Sequence, residues 1–156
     1  MNQDESSSKQ RLRLWLSLLR TTRSTEAELR EFLRVEHDTT LPRFDVMAAL
    51  YRVPQGLTMT ELSRYLLVSN GNVTTVVDRL VLDGIAKREQ QANDRRSLRV
   101  SLTEQGSAQF TQIASAHEAK VNQLFADFSS EDIEELLQLL KVHAHKETPH
   151  EKHGRA

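Results

Sequence analysis

At Gly84 the apolar pattern of this 156-residue chain changes period, and that change restricts the folds open to it. Before Gly84 the spacing is helical. Phe44, Val46, Met47 and Leu50 make one set, carried from Pro42 to about Val53. Leu62, Tyr65 and Leu66 make a second, expected on the inner side of a short helix, and Val73, Val76, Val77 and Leu80 a third, from Asn70 to Asp83. After Gly84 the pattern alternates, so Ile85–Gln90 and Ser97–Leu102 read as strands around a polar turn, Gln91–Arg96. The punctuation agrees with this division. Pro54-Gln55-Gly56 breaks the chain, Thr58-Met59-Thr60-Glu61 is a capping box in which Thr and Glu satisfy each other's free amides, and Gly84 stands where a helix end prefers glycine. Two short helices joined by a tight turn at Val68-Ser69-Asn70, then a hairpin, is the order of a winged helix-turn-helix. The fold class expected is mainly α with one small β-hairpin.

Long helices flank this centre. Leu12, Trp15, Leu16, Leu19, Leu29, Phe32 and Leu33 follow helical spacing from Lys9 to His37, with the basic stretch around Arg20 and Arg23 as a weaker middle. Thr103 caps another helix whose core side is Phe110, Ile113, Val121, Leu124, Phe125 and Phe128. Ser129 or Ser130 caps the last, where Ile133, Leu136, Leu137 and Leu140 form an apolar stripe. Hydrophobic residues are 38% and aromatics 5% of the chain, little for a self-sufficient globule, so a second subunit is expected to complete these faces. The polar, Ser-rich residues 1–8 are expected to be a disordered tail without a signal-peptide core, and 147–156 a flexible one. No apolar run approaches the ~18 residues that span a membrane. With no cysteine, disulfides, thiolate metal sites and cysteine-based redox sensing are excluded, and the cytoplasm is the expected location.

The net charge of −1 conceals segregation. Lys9–Arg23 holds five basic residues and no acidic one, and Arg79–Arg99 six basic against three acidic, whereas Glu118–Glu135 holds six carboxylates against Lys120. A local field, not the total, decides nucleic-acid binding. In the helix after the turn the apolar residues must face inward, leaving Asn72, Thr75, Asp78 and Arg79 outward, with Ser69, Asn70 and Thr74 near its start. Asn can pair with adenine, Arg with guanine, and Ser or Thr can reach a base edge or a phosphate. Arg95 and Arg96, at the expected hairpin tip, suit the negative potential of a minor groove. The partner expected is duplex DNA. The sequence has no phosphate-cradling Gly-rich loop, no metal-protease His pair and no nucleophile set in a strained turn, and His143, His145, His150 and His153 are not joined by carboxylate or thiolate ligands at fixed spacing; no cofactor and no enzyme activity are expected.

The stretches LPRFDVMAAL, LTMTELSRYLLVSNGNVTTVVDRLVLDGI and NDRRSLRVSLTEQG, from Leu41 to Gly106, resemble the MarR family of transcriptional regulators. The wing is the most specific part, with Asp94, Arg95 and Arg96 followed by Val100, Leu102, Thr103 and Gly106. The resemblance implies a homodimer joined through residues 9–37 and 104–146, with a winged DNA-binding domain at 38–103. It implies that Arg96 enters the minor groove and that Asp94 orients the wing through a salt bridge, with Arg79 as a candidate partner. It also implies a repressor released from a pseudo-palindromic operator by a small effector such as an aromatic acid, in a pocket lined by Trp15, Leu19, Arg43, Phe44 and Met47. A competing reading of the same fold is a winged-helix module that contacts only proteins, in which Arg95 and Arg96 would be dispensable.

Overall fold

The computed structural model describes residues 3–66, 70–91 and 94–144, the side chains of 3–5, 70–71, 91, 94–97 and 142–144 excepted. In chain order the elements are α1 (Gln3–His37), α2 (Leu41–Arg52), α3 (Met59–Leu66), α4 (Asn70–Leu82), β1 (Ala86–Gln91), β2 (Asp94–Leu102), α5 (Glu104–Leu124) and α6 (Ser130–Ala144). The mainly helical architecture with a two-stranded antiparallel hairpin is the one expected from the change of period at Gly84. The chain divides into two compact units, Met1–Val121 and Asn122–Ala156.

The first unit is built on a core to which every element from α1 to α5 contributes. Leu33 of α1, Val46, Met47 and Leu50 of α2, Leu62 of α3, Val73, Val77 and Leu80 of α4, Val100 of β2 and Ile113 of α5 are all buried. Local chemistry sets the helix starts. Thr40 Oγ1 accepts from the Arg43 amide (3.4 Å) and Pro42 occupies the first turn of α2, where its missing N–H costs nothing. Thr58 Oγ1 accepts from the Glu61 amide (3.2 Å) and Glu61 Oε2 accepts from the Thr58 amide (2.8 Å), closing the capping box of α3. Gly84 takes φ of 71°, a left-handed conformation open to glycine at little cost, and so ends α4. Thr103 then joins two helix ends: its hydroxyl donates to the Gly84 carbonyl (2.7 Å) and accepts from the Gly106 amide (3.0 Å) at the start of α5.

The second unit contains the end of α5 and α6, whose cap is equally local. Ser129 Oγ accepts from the Asp132 amide (3.1 Å), and Asp132 Oδ2 accepts from the Ser129 amide (3.0 Å). Phe125 and Phe128, expected on the core side of α5, lie beyond its end at Leu124 and approach each other at 6.2 Å between ring centroids. Among the described residues no helix is long and apolar enough to cross a membrane.

Several expectations need correction. α1 begins at Gln3, so residues 3–8 are helical rather than a disordered tail, and Arg20 and Arg23 do not interrupt it. The stretch has no Gly or Pro, and adding a residue to a formed helix is far easier than nucleating one. Leu29 and Leu33 are buried as expected, but Leu12, Trp15 and Leu16 are exposed. Tyr65, placed on the inner side of α3, is exposed: the side of α3 that enters the core holds Leu62 and Ser63, with Met59 and Leu66 partly covered. β2 starts at Asp94, so Asp94, Arg95 and Arg96 belong to a strand and not to the turn. Met1, Asn2, Ser69 and the tail at 147–156 lie outside the described residues.

Candidate nucleic-acid interface

α4 has two chemically distinct sides. Val73, Val77 and Leu80 are buried and Val76 packs partly against them. The opposite side exposes Asn72, Thr74, Thr75, Asp78 and Arg79. This division follows from the 3.6-residue period alone, since an apolar stripe that enters the core forces the remaining positions outward. Asn70 is the first residue of α4. Side-chain amides, hydroxyls and a guanidinium on one exposed helical face provide the donors and acceptors that base edges and phosphates demand.

The hairpin pairs Ala86 with Leu102, Arg88 with Val100 and Gln90 with Leu98, but Gln91 with Asp94. Three residues of β2, Arg95, Arg96 and Ser97, therefore lie between the partners of two consecutive residues of β1. This irregularity lies at the end of the wing and includes both arginines expected to contact the duplex. Such a bulge frees backbone from the ladder and increases local twist. The side chains of Asp94, Arg95 and Arg96 lie outside the described residues, and with them the Arg79–Asp94 pair.

Other ion pairs are defined, and none was apparent in the sequence. Arg88 of β1 donates to Asp78 Oδ1 of α4 at 2.6 Å. Arg99 of β2 donates through one Nη to the Gly56 carbonyl (2.7 Å) and to Glu61 Oε2 (3.2 Å), the carboxylate of the α3 capping box. The Thr58 amide and hydroxyl and the Arg99 and Arg64 charges together hold Glu61 below the usual carboxylate range, the Thr58 amide most of all. Backbone bonds reinforce the same joint: Leu57 and Val100 exchange bonds of 2.9 and 2.8 Å. Gly56, at φ of 83°, packs so tightly on Val100 that a Cβ there would lie 2.7 Å from its carbonyl oxygen. The only advance signal was the charge density of Arg79–Arg99, which does not say which charges are paired.

The residues expected to line an effector pocket have different environments. Phe44 and Met47 are packed in the core, Trp15 is 58% exposed on α1, and Leu19 is half-buried. Arg43 is engaged with Asp83, just past α4, at 2.7 Å. A separate cavity of about 80 Å³ is lined by Pro42, Asp45, Val46, Leu66, Asn72, Val73 and Val76, and by none of those five.

Residues 37–97, which hold α2, α3, α4 and the start of the wing, match the model of the MarR family. An HTH-type transcriptional regulator of Bacillus cereus is 34% identical over 136 residues, covering 86% of this chain and 89% of the relative. The crystal structure of a MarR family transcriptional regulator from Silicibacter pomeroyi is 33% identical, with a TM-score of 0.76 over 93% of this chain and 99% of that one. The chain belongs to the MarR family. A further similar structure is that of a MarR variant from E. coli in complex with operator DNA, 27% identical, with a TM-score of 0.74 over 85% of this chain and 94% of that one. As a MarR-family member the protein is a DNA-binding transcriptional regulator and not an enzyme.

Proposed function

We propose that this MarR-family regulator is a homodimeric repressor that reads a pseudo-palindromic operator, with α4 in the major groove and the wing at the flanking minor groove. The observation that carries the reading is the exposed face of α4, where Asn72, Thr75 and Arg79 stand opposite the buried Val73, Val77 and Leu80. Asn70 and Thr74 near the start of α4, with Ser69 preceding them in sequence, supply phosphate or base contacts, and Asp94, Arg95 and Arg96 form the minor-groove element. The MarR variant crystallised with operator DNA shares this fold, which supports the same docking here.

The dimer rests on apolar surface. Leu12, Leu14, Trp15, Leu16 and Leu18 are exposed along one half of α1. In the second unit Ile133, Leu136, Leu137, Leu139 and Leu140 are exposed along α6. Contiguous apolar surface of this kind on an isolated chain marks an interface. Effector release completes the proposal, with an aromatic acid as ligand; it would act through its differential affinity for two spacings of the winged lobes. Trp15, the single tryptophan, is the reporter for that arm.

Selection of duplexes from a random pool, followed by footprinting, tests the reading. Two dyad-related half-sites are expected, about 10–10.5 base pairs apart or a multiple. Inserting about half a turn between them should abolish tight binding. Unchanged affinity after the insertion would overturn the docking. Aromatic acids should quench Trp15 fluorescence and release the duplex together; compounds that do neither argue against the effector arm.

A further inference from the structure

We propose that Arg88 and Arg99, two of the six basic residues between Arg79 and Arg99, are positioning residues that lock the wing to the helix-turn-helix and do not contact phosphate. The inference rests on the DNA-binding reading above and divides the basic stretch into charges that meet the duplex and charges committed inside the protein.

Three observations carry it. Each guanidinium already has a carboxylate partner: Asp78 for Arg88 at 2.6 Å and Glu61 for Arg99 at 3.2 Å, with the Gly56 carbonyl a second acceptor for Arg99 at 2.7 Å. The two pairs grip opposite faces of the hairpin. Arg88 stands across from Val100, and Arg99 is the next residue along β2, so strand alternation turns them to opposite sides. One pair ties β1 to the recognition helix α4, and the other ties β2 to the first turn of α3. Lastly, Arg99 and Arg88 are largely covered, with 24% and 31% of their side chains exposed, and Arg99 Nε is buried without a partner. An arginine kept for phosphate would leave its fork in water.

The location suits a hinge under control. A strand of six residues is about 20 Å long, so a tilt of about 6° at its base moves the far end by about 2 Å. That is enough to take a side chain at the end of the wing out of hydrogen-bond range. Held at both faces, and by the Leu57–Val100 backbone bonds, the base of the wing is fixed relative to α4. The two grooves are then read with one spacing.

The sign of one charge effect makes the test decisive. Asp78 lies on the exposed face of α4, so if it had no positioning role its removal would relieve repulsion from DNA and tighten binding. If it positions the wing through Arg88, removal should weaken binding instead. The full-length protein, Asp78→Asn, Arg88→Gln, Arg99→Gln and Glu61→Gln are titrated against the selected operator over a salt series, with hydroxyl-radical protection in the minor groove and dimethyl-sulfate protection of guanine N7 in the major groove. We expect Asp78→Asn and Arg88→Gln each to lose roughly tenfold in operator affinity. The double variant should lose no more than either alone, the salt slope should be unchanged, and minor-groove protection should fade while N7 protection persists. Glu61→Gln and Arg99→Gln should behave as a second such pair, so a folding defect in one pair still leaves the other to decide. A lost phosphate contact would lower the slope by about 0.9. That lowering in Arg88→Gln and Arg99→Gln, or tighter binding by Asp78→Asn, overturns the inference while the DNA-binding reading stands. Failure of the unmodified protein to bind any duplex overturns both.

Discussion

Phe44 of α2 and His117 of α5 stack with ring centroids 4.3 Å apart and planes 24° from parallel. Phe110 packs on the same Phe44 ring at 5.5 Å and Tyr51 on Phe110 at 4.8 Å, so an imidazole ends an aromatic row. Burial there removes water from the imidazolium and pushes the His117 pKa below its ordinary value. The unfolded chain, with a histidine pKa of about 6.5, then takes up the proton more readily than the folded one. Stability should therefore fall as pH drops below about 6.5 and be insensitive to His117 above it. In thermal melts from pH 7.5 to 5, His117→Phe should show a shallower acid-side fall than the unmodified protein. Parallel curves would mean that the histidine titrates freely.

Asp45 has the opposite sign. Lost hydration, then the nearby charge of Glu26, raises its pKa, so the fold prefers the protonated carboxyl. Stability is lost as pH rises from about 4 through the raised value, and the ionised group disfavours the fold at neutral pH. Asp45→Asn should raise the melting temperature at pH 7 and change little below pH 4. A lower melting temperature at pH 7 would show that the carboxylate makes a favourable contact.

Gly106, in the first turn of α5, packs against Ile85 of the segment between α4 and β1, and a Cβ there would run into the Ile85 carbonyl. The same carbonyl accepts from the Thr103 amide at 3.0 Å, so it cannot retreat without disturbing the α5 cap. Gly106→Ala should cost on the order of 1–3 kcal/mol, as overpacking does, in urea unfolding at an unchanged slope. Full stability would require the helix start to shift freely.

Positioning and reading can be separated on the duplex. Arg96 sits in the irregular part of the wing, and Arg96→Ala should weaken binding to operator and scrambled DNA alike and flatten the salt slope by about one. Asn72 is on the exposed face of α4, and Asn72→Ala should cost about 1–3 kcal/mol on the operator alone. Equal losses for Asn72→Ala on both duplexes would remove it from base recognition.

Leu136 and Leu140 are 43% and 46% exposed on α6. Leu136→Glu or Leu140→Glu should shift sedimentation from dimer toward monomer at micromolar concentration and lower operator affinity with it. A folded monomer of the unmodified protein, bound to DNA with full affinity, would refute the dimer.

Features that act over a few residues are already present in the order of the amino acids. Thr58 with Glu61 and Ser129 with Asp132 are contacts three residues apart, and Gly84 ends a helix through its own backbone, so each is legible in the order of the residues. The outward set of α4 also follows from periodicity alone. Contacts between distant segments come only from packing. Asp78 meets Arg88 ten residues away and Glu61 meets Arg99 thirty-eight away, and a charge in sequence carries no label for its distant partner. Strand alternation gives faces but no register, so the three-residue slip that puts Arg95 and Arg96 into β2 was hidden. Leu12, Trp15 and Leu16 share the period of Leu29 and Leu33, yet only the latter are buried. An apolar stripe states that a helix face favours cover, and only packing in three dimensions decides whether the same chain supplies it.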